Sequence, residues 1–74
     1  MERLDNNLKR LRFEKNDISQ QALADAVGVS RVTINSVENG KFIPSALLAL
    51  KIARFFGTPV EKVFFINDRE DRSE

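Results

Sequence analysis

Polar side chains that can donate or accept hydrogen bonds recur along residues 30–41, SRVTINSVENGK. Arg31 donates through a planar guanidinium fork, Asn35 both donates and accepts, and Ser36 does both through one hydroxyl. On a helical wheel, at about 100° per residue, these three residues and Val32 share one arc of about 140°. The opposite arc holds Ile34 and Val37, which must face a core. The pattern therefore predicts an exposed stripe suited to recognition by hydrogen bonds.

The absence of His and Cys excludes most kinds of enzymatic catalysis. The chain has no His and no Cys, so it offers no thiolate nucleophile, no imidazole acid or base, and no zinc site of the usual kind. At 74 residues it is also too small for a deep ligand cleft. We expect a protein that is not an enzyme and that needs no metal and no cofactor.

Five helices are predicted to position the stripe, in one all-α domain over residues 1–66 followed by an acidic tail over 67–74. Leu4, Leu8 and Leu11 predict the first helix over about 3–15. Ser19, Ser30 and Ser45 are N-cap residues for the second, third and fourth helices, the last over 46–56. Thr58-Pro59-Val60-Glu61 matches a capping box that opens the fifth helix. Phe65-Ile66 can extend as a short strand.

The joint between the second and third helices is the most specific local feature. Ala24 is small enough for two helices to cross closely, and Gly28 can take the left-handed conformation that a tight turn requires. Ile34 and Val37 continue the apolar seam of Leu23 across the turn. These are the requirements of a helix-turn-helix.

Residues 19–64 resemble the phage-repressor (lambda-repressor-like, or Xre) helix-turn-helix family, and the first helix fits the same pattern. The matching segments are Ser19-Gln20, Leu23-Ala24, Gly28-Val29-Ser30, Ile34, Val37-Glu38-Asn39-Gly40-Lys41, Pro44-Ser45 and residues 49–53. The resemblance implies a compact five-helix domain that binds operator DNA, usually as a two-fold dimer, and regulates transcription.

The exposed stripe then becomes a candidate for base recognition in the major groove. Arg31 can donate two hydrogen bonds to guanine, Val32 can contact a thymine methyl, and Asn35 can pair with adenine or reach a phosphate. Ser36 requires closer approach, and Thr33 lies at the edge of the stripe. Many relatives have Gln at the position of Val32; this departure from the family pattern leaves the operator sequence open and does not affect the expectation of DNA binding.

Phosphate contacts are predicted at the helix ends that flank the stripe. The resemblance implies that Gln20 holds a backbone phosphate, and the N-terminus of its helix favours an anion. Ser30, Asn39 and Lys41 are further candidates. The resemblance also implies that Glu38 pairs with Arg12 of the first helix; the alternative is two independent surface charges.

The C-terminal residues hold more apolar groups than the end of so small a domain can bury. We expect Val60 or Val63, with Phe64, in the core and the rest in a homodimer interface; the alternative is a core that encloses them all. The interface is predicted to contain Pro59, Val63, Phe65 and Ile66.

The favoured function is a cytoplasmic, sequence-specific repressor that binds a palindromic operator in double-stranded DNA. Two alternatives stay open. One is the antitoxin of a toxin–antitoxin pair, with a protein partner at the C-terminal segment. The other is a restriction–modification controller. No apolar run is long enough to span a membrane, so no membrane partner is expected.

Overall fold

A computed structural model of the protein describes residues 2–68. Two short strands at the two ends of this range enclose five helices in the chain order β-α-α-α-α-α-β. The elements are β1 (Glu2–Asn6), α1 (Leu8–Glu14), α2 (Gln20–Val27), α3 (Arg31–Glu38), α4 (Ala46–Phe56), α5 (Val60–Val63) and β2 (Phe64–Asp68). None of the helices within residues 2–68 has the length and apolar character needed to cross a membrane.

The core is built around one large, fully buried side chain from each helix. These side chains are Leu8, Leu23, Ile34, Ile52 and Val63. Smaller neighbours such as Ala24 and Ala53 fill the crossings, and Phe64 closes the core beside α5. Burial of each large aliphatic side chain contributes roughly 1.5–3 kcal/mol. Because every helix contributes to one core, the five short helices stabilise one another.

The N-terminal residues differ from the prediction of one helix over 3–15. Residues 2–6 form β1, and α1 begins only at Leu8. The Asn6 side chain ends the strand: its Oδ1 accepts from Leu8 N at 3.1 Å and its Nδ2 donates to the Val37 carbonyl at 3.0 Å. Asn7 donates from its backbone N to the Val63 carbonyl at 3.0 Å. The predicted helical spacing of Leu4 and Leu8 was therefore wrong, because Leu4 reaches the core from a strand.

The strand predicted at Phe65-Ile66 is confirmed and is longer than expected. β2 pairs antiparallel with β1, from Asn6 opposite Phe64 to Glu2 opposite Asp68. It continues past the predicted domain boundary at residue 66, and residues 69–74 of the predicted acidic tail lie outside the described residues.

The predicted capping box of α5 is wrong, because this helix begins one residue later. Pro59 occupies the cap position with ψ 142°, and no side chain caps the helix. The Thr58 hydroxyl instead donates to the Phe56 carbonyl at 3.2 Å. α5 is a single turn of four residues, and it places Val63 and the following Phe64 in the core.

Candidate nucleic-acid interface

α2 and α3 meet at the turn that the sequence predicts. The Ser19 hydroxyl caps α2 by accepting from Ala22 N at 2.9 Å, and the Ser30 hydroxyl caps α3 by accepting from Thr33 N at 3.2 Å. Between them Gly28 has φ +80°, in the left-handed region that few other residues adopt without strain. The N-terminus of α3 is thus fixed relative to α2 by local hydrogen bonds and by one glycine.

α3 presents the two faces that the helical wheel predicts. Ile34 and Val37 are buried, and they fix the helix against the core. On the other side Arg31 is exposed, and 65% of Val32 is accessible to solvent. Asn35 and Ser36, one turn further along, are half-buried. The first turn is therefore the most exposed part of this face of α3.

Thr33 lies at the flank of α3. Its hydroxyl forms a hydrogen bond of 3.0 Å with the Ser30 hydroxyl, and the residue lines a shallow groove shared with Val29 and Leu48. The structure thus places Thr33 beside the stripe, as expected from the wheel. Its hydroxyl already has an intramolecular partner.

The ion pair between Arg12 and Glu38 is present and largely buried. Arg12 donates from Nε to Glu38 Oε2 at 2.6 Å and from Nη2 to Glu38 Oε1 at 3.2 Å. The Glu38 side chain is 0% exposed and that of Arg12 only 16%. Arg12 also donates from Nη1 to the Ile18 carbonyl at 2.8 Å, so the pair ties α1 to the end of α3 and to the residue before the N-cap of α2.

Further contacts extend this pair into a network that the sequence did not indicate. Gln20 donates from Nε2 to Glu38 Oε1 at 3.1 Å, Asn35 donates from Nδ2 to Gln20 Oε1 at 3.3 Å, and Asn39 donates from Nδ2 to Asn35 Oδ1 at 2.9 Å. We call Arg12, Gln20, Asn35, Glu38 and Asn39 the Glu38 network. The pair of Arg12 and Glu38 was expected from the resemblance, but no local pattern indicates the links through Gln20, because they join α2 to α3.

The predicted phosphate-contacting residues surround α3. Ser30 and Gln20 lie at the N-termini of α3 and α2, and Asn39 follows the last residue of α3. Lys41 is exposed in the loop after α3, where its backbone N donates to the Ser36 carbonyl at 2.9 Å. Gln20 has a second role in the Glu38 network, and its Nε2 carries one more hydrogen than the bond to Glu38 uses.

The prediction that Val63 lies in the dimer interface is wrong. This side chain is 0% exposed, because α5 delivers it into the core, so it offers no surface to a second chain. Pro59 is exposed and Phe65 is half-buried. Ile66 is 68% exposed at the end of the domain where β1 and β2 pair.

The loop after α3 carries apolar surface that was not predicted to lie at an interface. Ile43 is 73% exposed and Phe42 is 50% exposed. Both line a groove whose other wall is the whole of β1. Because five consecutive strand residues line the groove, it runs along the edge of β1 rather than across one face. Within residues 2–68, acidic side chains form no cluster that could hold a metal ion.

A two-helix motif with an exposed and rigidly anchored second helix, flanked by polar and basic groups, defines a helix-turn-helix DNA-binding protein. The helix-turn-helix family HTH_3 matches residues 8–63, and the chain belongs to this lambda-repressor-like (Xre) family. It is therefore a DNA-binding regulator rather than an enzyme.

Three relatives are similar to the chain over most of their lengths. The chain is 48% identical over 65 residues to an HTH-type transcriptional regulator of Methanocaldococcus jannaschii, covering 88% of this chain and 97% of the relative. It is 41% identical over 63 residues to the HTH-type transcriptional regulator YgzD of Bacillus subtilis, covering 85% and 94%. It is 35% identical over 68 residues to control protein C.MunI of a Mycoplasma species, covering 92% of each.

Proposed function

We propose that the protein is a repressor that binds a palindromic operator as a homodimer, with one α3 in the major groove at each half-site. The observation that supports this most directly is the first turn of α3. It holds Arg31 and Val32 in solvent on a helix whose other face is anchored in the core. Such a protein acts on operator DNA in the cytoplasm.

Base recognition is assigned to the exposed stripe. Arg31 donates two hydrogen bonds to guanine O6 and N7, a contact that contributes roughly 1–3 kcal/mol of discrimination. Val32 packs on a thymine methyl, which removes its exposed apolar surface from water. Asn35 and Ser36 approach the following bases. Thr33 contacts DNA from the flank, through its methyl group, because its hydroxyl is bonded to Ser30.

Backbone recognition is assigned to Gln20, Ser30, Asn39 and Lys41, which lie on both sides of the stripe. These contacts orient α3 without distinguishing sequences. Gln20 uses its second Nε2 hydrogen for a phosphate while the first remains on Glu38.

The homodimer is assigned to the end of the domain formed by β1, β2 and the loop after α3. Ile66, Phe65 and Pro59 are the predicted interface residues that reach the surface, and we extend the interface to Ile43 because it is 73% exposed beside β1. A two-fold dimer brings two recognition helices to half-sites about 34 Å apart. Once one recognition helix is bound, binding of the other to the second half-site is intramolecular. The resulting gain in affinity compensates for the few contacts that one short helix makes with DNA.

The test is a binding titration against DNA from upstream of the protein's own gene, beside random DNA, at two salt concentrations. We expect specific binding about 10³-fold tighter than random binding, and a footprint with two half-sites. Ile66→Asp should prevent dimerisation in sedimentation and weaken operator binding. Leu50→Asp is the matched control, since Leu50 is similarly exposed on α4. Equal, weak binding to both DNAs would refute the proposal.

Repression is tested separately from binding. A reporter gene placed behind the bound promoter should be expressed less when the protein is present. Higher expression would make the protein an activator and would leave the DNA-binding assignment unchanged.

A second candidate, a restriction–modification controller, is favoured by one observation. The relative C.MunI, a control protein, aligns over 92% of this chain. The two candidates use the same α3 chemistry and differ in the genes they regulate. Footprints upstream of a methyltransferase or endonuclease gene would favour the controller, and their absence from such genes would favour the general repressor.

A further inference from the structure

We infer that Glu38, acting through Gln20, is a positioning residue that sets which bases Asn35 accepts. The inference rests on the proposed function, because it concerns how α3 distinguishes DNA sequences. It is carried by the direction of every hydrogen bond in the Glu38 network.

The direction begins at the buried ion pair. An ionised carboxylate can only accept hydrogen bonds, and a guanidinium can only donate them. Arg12 donates twice to Glu38, whose side chain is 0% exposed, so water does not compete for the carboxylate. Gln20 must therefore present its NH2 group to Glu38 Oε1, as it does at 3.1 Å.

The fixed orientation of the Gln20 amide in turn determines the orientation of Asn35 on α3, the recognition helix. With its nitrogen on Glu38, Gln20 turns its Oε1 towards α3, where only a donor is a suitable partner. Asn35 supplies that donor from Nδ2 at 3.3 Å, which leaves its own Oδ1 to accept from Asn39 at 2.9 Å. Each amide in the series has one allowed orientation, because the previous group fixes it.

A fixed amide on α3 has consequences for base recognition. Adenine presents a donor at N6 and an acceptor at N7, so an Asn must offer its oxygen to one and its nitrogen to the other. One hydrogen on Nδ2 and one lone pair on Oδ1 of Asn35 are not used in the Glu38 network. If the Asn35 amide were reversed, its nitrogen would face the adenine N6 donor and its oxygen would face the N7 acceptor, so neither hydrogen bond could form. The network thus preorganises Asn35 for one arrangement of donor and acceptor on the DNA.

The experiment is selection of binding sites from a random double-stranded DNA library, followed by competition titrations with single base-pair changes. Asn35→Ala identifies the operator position that Asn35 contacts. Gln20→Met then removes the link while leaving Arg12 and Glu38 paired. Gln21→Met is the matched control, since Gln21 lies on the same helix, is exposed, and donates from Nε2 to Asp25 Oδ1 at 2.8 Å, outside the Glu38 network.

We expect Gln20→Met to lose about tenfold of the base preference at the position defined by Asn35→Ala, and nowhere else. It should also bind all sequences more weakly, because a phosphate contact is removed, but that loss does not alter preference. Gln21→Met should keep the wild-type preference. The double variant Arg12→Met with Glu38→Leu removes the acceptor of Gln20 Nε2 without leaving a buried charge unpaired, and it should reproduce the effect of Gln20→Met; if it does not fold, Gln20→Met alone decides.

Two results separate this inference from the proposed function. A wild-type protein that selects no sequence would overturn both. A wild-type protein that selects an operator, with Gln20→Met showing unchanged preference at every position, would overturn only the inference and leave the Glu38 network a purely structural feature. Side-chain amide signals of Asn35 in ¹⁵N NMR, without DNA, give an independent readout. They should shift in Gln20→Met and not in Gln21→Met.

Discussion

Breaking the ion pair between Arg12 and Glu38 should destabilise the domain far more when one partner is removed than when both are. Replacing Glu38 by Leu leaves a guanidinium that is 84% removed from solvent without its carboxylate, while Arg12→Met leaves a fully buried carboxylate. Loss of one partner of a buried pair typically costs about 3–5 kcal/mol. A domain of this size has a free energy of unfolding of roughly 4–11 kcal/mol, so either single variant should be close to unfolding.

The double variant should recover much of this loss, because no charge then remains unpaired. It should still be less stable than wild type by about 1–3 kcal/mol, since Gln20 loses the acceptor for its Nε2 hydrogen. Adding Gln20→Met to the double variant should lower that remaining cost but not abolish it, because the Ile18 carbonyl still lacks the donor that Arg12 supplied and Asn35 lacks its acceptor on Gln20.

The assay is urea unfolding followed by circular dichroism at 222 nm, because the chain has no Trp or Tyr to report by fluorescence. The coupling energy is the difference between the double variant and the sum of the two single variants. Single variants that each cost under about 1 kcal/mol and add without coupling would refute the reasoning. They would mean that the pair behaves as a solvent-screened surface pair.

Three further predictions concern DNA contacts and the turn. Lys41→Ala should weaken binding to all sequences and lower the salt slope by about one unit, whereas Lys62→Ala on α5 should not; an unchanged slope would remove Lys41 from the phosphate contacts. Arg31→Ala should cost roughly 1–3 kcal/mol at one base pair, and equal losses on operator and random DNA would reassign it to the backbone. Gly28→Ala should destabilise the domain by about 1–2 kcal/mol in urea unfolding, through backbone strain at φ +80° and not through a clash, because the added Cβ meets no atom within 4 Å beyond its chain neighbours; a neutral variant would show that the turn relaxes.

The features predictable from the sequence are those fixed by neighbouring residues. Ser19, Ser30 and Ser45 were recognised as caps because the hydroxyl and the backbone N–H that it accepts from are three residues apart. The wheel of α3 separated Ile34 from Val32 correctly, since the side-chain direction on a helix follows from its period.

The features that could not be predicted depend on partners distant in the chain. Leu4 matched a helical spacing, but its segment pairs with β2, whose Ile66 lies opposite it. Val63 was assigned to both core and interface, and only the packing of α5 decides between them. Gln20 was assigned to a phosphate from the family resemblance and from its place at the N-terminus of α2. Its contact with Glu38 could not be predicted, because it crosses from α2 to the end of α3.

The pairing of β1 with β2 closes residues 2–68 into one long loop, since Glu2 lies opposite Asp68. Closing a loop of that length costs about 4 kcal/mol of chain entropy, so the sheet should form after the helices have packed. Residues Glu2 and Asp68 are adjacent in space, so a short linker could join these two residues directly, and new termini could be opened at the turn between α1 and α2. Such a permuted chain would keep α2, α3 and the Glu38 network in their present arrangement, and DNA binding would be independent of where the chain begins.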